Sequence, residues 1–336
     1  MKFSVLIPLY NKALYIRNTI DSVLAQSVSD FEVIVVDDGS TDDSVAVVEA
    51  VTDPRVRLVR QANAGVAAAR NHGISLARGQ WVAFLDADDF YHPEFLAALL
   101  RAEAGHPDAD TLAADYICLP HSDHQWPPHW SVPGEPFDIE RITDLPRRWL
   151  QGPTFCSSSA AVKTARLQAM QPCFPVGESI GEDLDLWFRL GEKAPIALVH
   201  APLAAYRVDQ AHSLSSQHAV TISTTPPVFQ RMRQRALSGT LTNEQRQSTL
   251  WHVAQQEVSL ARIALGQGAR RQSLRWLLRG RHAARGWRWW ITAGMTLMAP
   301  ADWVRAWDAW RIDRATHKDA RANLTPLPDA KLEQIK

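Results

Sequence analysis

The stretch WVAFLDADDFYHPEF, from Trp81 to Phe95, passes from an apolar run straight into three carboxylates, Asp86, Asp88 and Asp89. Like charges packed that closely repel one another, so the chain there either holds a cation or turns sharply. The apolar run, ended by polar residues, reads as a buried strand whose carboxyl end carries a polar site. The same pattern repeats upstream. KFSVLIP is a short apolar run ended by Pro8, and FEVIVVD is nearly all β-branched. RVRLV supplies a further strand, and ADTLAADYI another after the acidic stretch. Helical patterns lie between them. Residues 12–26 carry Leu14, Ile16, Ile20, Val23 and Leu24 near helical spacing, and Ser40, Thr41 and Asp42 precede a helix through about Ala50. An Ala-rich helix follows Gly65, and Pro93 opens another. Strands separated by helices predict an α/β fold with a mostly parallel sheet covered on both faces.

Residues 118–155 break this rhythm with LPHSDHQWPPHWSVPGEP, rich in Pro, His and Trp, which reads as an ordered loop or lid. His121, His124 and His129 with Asp123 lack the spacing of a zinc site and fit an acceptor-side loop better. GEDLDLWFRLGEK is amphipathic and helical, and beyond about residue 218 the chain reads as helical and dense in Arg and Trp. The last fifteen residues, 322–336, read as a loose tail.

Composition is that of a globular protein, with 46% apolar and 21% charged residues and zero formal net charge. The zero hides an asymmetry. Residues 1–230 hold 17 Lys+Arg against 28 Asp+Glu, a net of −11, while residues 231–321 hold 17 against 6, a net of +11. Such a split points to a charged partner for the basic part. Cys118, Cys156 and Cys173 are odd in number and lack metal-site spacing, which fits buried thiols in a reducing compartment. The opening MKFSVLIPLYNKALYI has too short an apolar run for a signal peptide, and no stretch reaches the roughly 18 apolar residues of a spanning helix. The expectation is a cytoplasmic protein, or one peripheral at the inner face of the cell membrane.

Ligands of open α/β sheets sit beyond the carboxyl ends of the strands. Three strands end there in polar clusters: IPLYN (Ile7–Asn11), VVDDGS (Val35–Ser40) and FLDADD (Phe84–Asp89). A turn or a helix cap accounts for any single Asp. Two acidic strand ends beside an aromatic residue suit a nucleotide and a divalent cation, and hard oxygen ligands shared with phosphates favour Mg²⁺ or Mn²⁺.

VLIPLYNKALYI, FEVIVVDDGSTDDS, NAGVAAARNHGI, GQWVAFLDADD and GEDLDLWFRL stand in the order and spacing of inverting family 2 glycosyltransferases, and the chain resembles that family over about residues 1–215. The resemblance implies a GT-A fold, Rossmann-like, with a C-terminal helical extension. It implies a catalytic domain over 1–217, with a nucleotide-sugar half at 1–117 and an acceptor half at 118–217; the residues themselves mark a basic Trp-rich helical region at 218–321. Pro8 and Tyr10 would line the nucleobase, Asp38 would accept from a base N–H, and Arg70 and Arg207 would approach the diphosphate. Asp88 would bind the metal, with Asp86 serving the ribose or the metal shell and Asp89 a supporting group. Asp183 matches the family's catalytic base, with Glu182 and Trp187 on the acceptor side. Glu182 and Asp183 also suit the start of a helix, where negative charge complements the dipole. The family's His after the Tyr-Arg pair is replaced here by Asp209; His212, three residues on, is a candidate metal contact in its place.

The resemblance implies metal-dependent transfer from a nucleotide sugar, UDP-linked, to a hydroxyl of a glycan or lipid-linked glycan in cell-surface polysaccharide synthesis. The alternatives are a sugar-nucleotide pyrophosphorylase, whose Gly-rich loop is replaced here by PLYNKAL, and a non-catalytic nucleotide-sugar-binding homologue. In the C-terminal region Trp303, Trp307 and Trp310 fall at helical spacing, and Trp287, Trp290, Ile291, Gly294 and Met298 share a face. Two readings stand: a hairpin packed on the catalytic domain, or a basic Trp-bearing face at an anionic membrane surface. No nucleic-acid-binding motif accompanies the positive charge.

Overall fold

The computed structural model describes residues 1–119, 130, 132, 134, 136–178, 181–208, 225–300, 302, 303 and 306. His121, Asp123, His124, His129, Asp209, His212, Trp307, Trp310 and the tail lie outside the described residues.

The first half of the chain alternates as its periodicity predicts. Strand β1 (Phe3–Leu9) leads to helix α1 (Ile16–Leu24), β2 (Phe31–Asp37) to α2 (Ser44–Glu49), and β3 (Val56–Arg60) to α3 (Val66–Leu76). Next come β4 (Trp81–Phe84), the two-residue β5 (Phe90–Tyr91), α4 (Phe95–Gly105) and β6 (Thr111–Leu119). β1 pairs in parallel with β2 and β4, and β2 with β3, as expected for strands joined by covering helices. All seven residues of β2 are buried, which is why an unbroken β-branched run rather than an alternating one encodes it. α3 lies so close on β1 that a Cβ at Gly73 would stand 2.0 Å from a Leu6 methyl.

The rest of the sheet was not legible in the sequence. β7 (Ile139–Ile142), β8 (Ala160–Lys163) and β9 (Ile196–Arg207) complete the order β3-β2-β1-β4-β8-β6-β9-β5, with β7 also on β9. β8 enters antiparallel between β4 and β6, whereas β6 and β9 are parallel. Three short helices or turns sit in this stretch: α5 (Leu145–Trp149), a 3₁₀ turn at Ser157–Ser159, and α6 (Thr164–Ala169). The amphipathic segment forms α7 (Glu182–Gly191), and its apolar face is buried through Leu186, Trp187, Phe188 and Leu190. The remaining described chain is helical: α8 (Pro227–Leu237), α9 (Asn243–Gly266), α10 (Arg270–Arg279), a 3₁₀ turn at Arg281–Arg285 and α11 (Trp287–Met298).

The chain divides into two compact units, residues 1–252 and 253–336. The first runs past residue 217, where the sequence suggests a boundary, because α8 is bonded to α7. Arg231 grips Glu178 with both terminal nitrogens, at 2.6 and 2.8 Å, and reaches Asp185 at 3.0 Å. Arg235 contacts Glu192 at 2.9 Å and Asp185 at 3.3 Å.

Candidate active site

Register alone gathers the site. Leu9 of β1 pairs with Asp37 of β2, and Leu6 with Phe84 of β4, so the carboxyl ends of three parallel strands open on one edge. There the loop after β1 is bolted to the loop after β2. The Asn11 side chain accepts from the Thr41 amide at 2.8 Å, and the Lys12 amide donates to Ser44 at 2.8 Å. Gly39 makes the second loop possible, since its φ of +75° lies in the left-handed region.

The centre of the site is a buried guanidinium. Arg70, on α3, donates to Asp86 at 2.7 Å and to Glu182 at 3.2 Å. One residue thereby joins the end of β4 to the start of α7, two motifs far apart in sequence. Burial alone would disfavour its charge, but Asp86, Glu182 and Asp183 outweigh burial and hold it firmly protonated. Glu182 is pushed the other way: burial first, then the charge of Asp183, raise its carboxyl, and Arg70 offsets part of that.

Asp88 stands beside a different cation, the Lys12 ammonium, at 2.6 Å. Asp89 turns inward. It accepts from the Ser158 hydroxyl and from the Arg207 amide, and burial followed by the charges of Asp88 and Asp86 raises its carboxyl well above the usual range. The same Ser158 hydroxyl accepts from the Asp86 amide at 3.0 Å, and its neighbour Ser157 donates to Asp183 at 3.0 Å. The Ser157–Ser159 turn therefore ties the acidic triplet to Asp183. Gly181 enters α7 at φ +70°, which leaves Glu182 and Asp183 in the first turn. Arg207, the last residue of β9, donates its Nε to the Asp88 carbonyl at 3.1 Å and lies over Tyr15 and Phe90.

Asp86, Arg70, Glu182, Asp183, Asp88 and Arg207 thus come together around one strand end. Tyr10 is exposed at the end of β1, and Pro8 is half-buried within that strand. Asp38 is buried, and its carboxylate accepts from Gln61, Ala64 and Gly65 at 2.8 to 2.9 Å, which ties it to the loop before α3. One expected contact needs correction. Trp187 is buried edge-on to Phe84 and Phe155, where it packs α7 onto β4 instead of lining an acceptor site. Sequence reading missed Lys12, Ser157 and Ser158, for which a lone lysine and a serine run give no signal.

The oxygen-only donors Asp86 and Asp88 fit a hard divalent cation. No group of three or more His, Cys, Asp or Glu side chains with metal-holding geometry lies among the described residues, so the protein alone builds no closed cage. A cation here would draw the rest of its shell from phosphate and water, the habit of Mg²⁺ and Mn²⁺.

Residues 4–162 match the model of glycosyl transferase family 2. Over 101 residues the chain is 45% identical to the uncharacterized glycosyltransferase YibD of Escherichia coli, which covers 30% of this chain and 29% of that protein. It is 33% identical over 169 residues to the glycosyltransferase GlyG of Streptococcus pneumoniae, covering 49% and 55%. The chain thus spans about a third to a half of these curated relatives. Among solved structures, TarS of S. aureus (residues 1–349, crystallised with UDP-GlcNAc) superposes with a TM-score of 0.65 at 23% identity, over 82% of this chain and 80% of that one. By motif, sheet topology and match, residues 4–162, just under half of the chain, are similar to glycosyl transferase family 2, and the chain is built on a GT-A fold like that of TarS.

Proposed function

We propose that the protein is an inverting glycosyltransferase that moves a sugar from a nucleoside diphosphate donor, UDP-linked, to a hydroxyl of a glycan or lipid-linked glycan at the inner face of the cell membrane. The observation that carries the proposal is Arg70, which bonds both the Asp-x-Asp strand end and the Glu-Asp helix start. In this reading Arg70 would hold the donor side and the acid–base side at one point. The relatives carry glycosyltransferase names, and the TarS structure holds UDP-GlcNAc, which supports a uridine donor.

In this reading the acceptor hydroxyl gives its proton to Asp183, which Ser157 orients. The acceptor oxygen attacks the anomeric carbon on the face opposite the diphosphate, and the bond from that carbon to the diphosphate breaks. A general base in this role contributes about 10²–10⁴-fold. Asp88 and Asp86 would hold Mn²⁺ or Mg²⁺, which neutralises charge developing on the leaving phosphates when bound. Lys12 and Arg207 flank Asp88 and add positive charge on the same side. Glu182 keeps Arg70 in place.

The test is turnover of a panel of nucleotide sugars with Mn²⁺ and extracted lipid-linked glycans, followed as nucleoside diphosphate release, with the product anomer read by NMR. The proposal expects inversion of configuration, and for Asp183→Asn a fall in turnover of about 10²-fold or more with donor affinity nearly unchanged. Retention of configuration, or an Asp183→Asn enzyme that loses donor affinity and turnover equally, would refute the assigned role.

A further inference from the structure

Helix α11 is inside out. The side chains it buries are Thr292 and Thr296, while Trp287, Trp290, Leu297 and Met298 are exposed by 67%, 63%, 70% and 84%. Its inner face is held by polar bonds. The Arg262 Nε donates to the Thr292 hydroxyl at 2.9 Å, and Ser273 and Thr296 share a hydrogen bond at 2.9 Å. Arg270 caps the far end by donating to the carbonyls of Thr296, Leu297 and Ala299. A helix on a water-facing surface puts its apolar stripe inward. Here the helical spacing of Trp287, Trp290, Ile291, Leu297 and Met298 gathers them on one outward arc, with Gly294 between. The neighbouring helix α10 adds exposed Leu274 and Leu278, one turn apart. Isolated exposed hydrophobics are ordinary, but a contiguous face at this density marks an interaction surface.

The charge around this face selects the partner. Between Glu257 and Asp302 the sequence contains no acidic residue, yet residues 270–288 hold seven arginines. Arg271, Arg275, Arg281 and Arg285 are exposed on α10 and in the turn between the helices. A second copy of the chain docked by symmetry would set these arginines against one another, which is unfavourable. An anionic bilayer accepts both features: indole rings settle at the headgroup level, and guanidinium groups meet lipid phosphates. No helix among the described residues is long and apolar enough to cross a membrane, so the face would seat in one leaflet.

We propose that α10 and α11 form a docking face for an anionic lipid bilayer, with Trp287, Trp290, Ile291, Leu297 and Met298 entering the interface and Arg271, Arg275, Arg281 and Arg285 contacting headgroup phosphates. This proposal stands apart from the chemistry of the first unit, and its test requires no turnover.

The experiment is sedimentation of the full chain with vesicles of neutral phosphatidylcholine and of phosphatidylcholine mixed with phosphatidylglycerol, at low and high salt. Variants are Trp287→Ser with Met298→Ser, and Arg281→Gln with Arg285→Gln; circular dichroism and melting temperature control for folding. Because the helix is held through its polar inner face, the first pair should leave the melting temperature unchanged. The expected result is binding to the anionic vesicles that weakens as salt rises, with roughly tenfold or greater loss in the Trp/Met pair. The arginine pair should lose affinity and much of the salt dependence. Failure to bind either vesicle, or equal binding to both, overturns the proposal. So does self-association that the Trp/Met pair abolishes without any vesicle binding, which would assign the face to a second copy. Should the Trp/Met pair unfold, the arginine pair decides alone: anionic binding unchanged by it refutes the lipid reading.

Discussion

Arg70 illustrates how a single side chain organises this site. It sits in an Ala-rich helix that reads as ordinary packing, yet it neutralises carboxylates from two distant motifs. Losing it would leave Asp86 and Glu182 facing one another, partly buried and uncompensated. A second buried titratable residue gives a pH signature. The His252 Nδ1–H donates to the Pro146 carbonyl at 3.0 Å, and burial lowers the ring from its usual 6.5 to about 4. Between those values the unfolded chain binds the proton and the folded one does not. Its contribution to stability is therefore complete above about pH 6.5 and is lost as pH falls toward about 4, a change of about 3 kcal/mol. Urea midpoints measured against pH for the wild type and His252→Gln should converge across that window; parallel curves would show that His252 protonates equally in both states. At this scale the positions of Asp86, Asp88, Glu182 and Asp183 were legible, because charge clusters there at an element's end. Nothing local marks Lys12 or Ser158, whose partners are far away in the chain. Trp187 shows the reverse limit. A residue type that suits ligand contact was placed by the fold within the core.

At the scale of elements, α7 depends on α8. Asp185 is buried and meets Arg189, Arg231 and Arg235, while the half-buried Glu192 is raised by burial and held down chiefly by Arg235. These ions fix the helix whose first turn carries Asp183. Removing one partner from a buried ion network costs about 3–5 kcal/mol, because the other charges remain. Arg235→Gln should therefore lower the melting temperature by roughly 5 °C or more. It should also reduce turnover more than donor affinity, since the donor side rests on other strands. A melting temperature within 1 °C or so of wild type would show that water replaces the arginine and that α8 merely lies alongside. The helices of the first half were legible by their period, and the buried parallel strands by short unbroken apolar runs ended by polar residues. β7, β8 and β9 were not. The antiparallel insertion of β8 between β4 and β6 is decided by pairing partners, and residues 139–142 and 160–163 are too short to carry a pattern. The clamp of α8 on α7 escaped for the same reason: arginines on a helix read as a solvated face until their partners are known.

At the scale of the whole molecule, the change of sign along the chain goes with the two tasks proposed above. The acidic part contains the GT-A domain and its acidic strand end; the basic part exposes tryptophan where a water-facing helix would not. The change of sign is read from composition alone, but the turning of α11 became visible only in three dimensions. The central claim is that the edge at Asp86 and Asp88 binds a nucleoside diphosphate together with a divalent cation. It is tested most directly by thermal shift of the full chain with UDP, GDP, CDP and ADP, each with Mn²⁺, with Mg²⁺ and with EDTA, in the wild type and in Asp88→Asn. At 100 times its dissociation constant a ligand adds about 2.7 kcal/mol, a shift of several degrees. The prediction is stabilisation by UDP that needs the metal, vanishes in EDTA and is lost in Asp88→Asn. Stabilisation equal in EDTA and Mn²⁺, persistence in Asp88→Asn, or no shift with any diphosphate would contradict it.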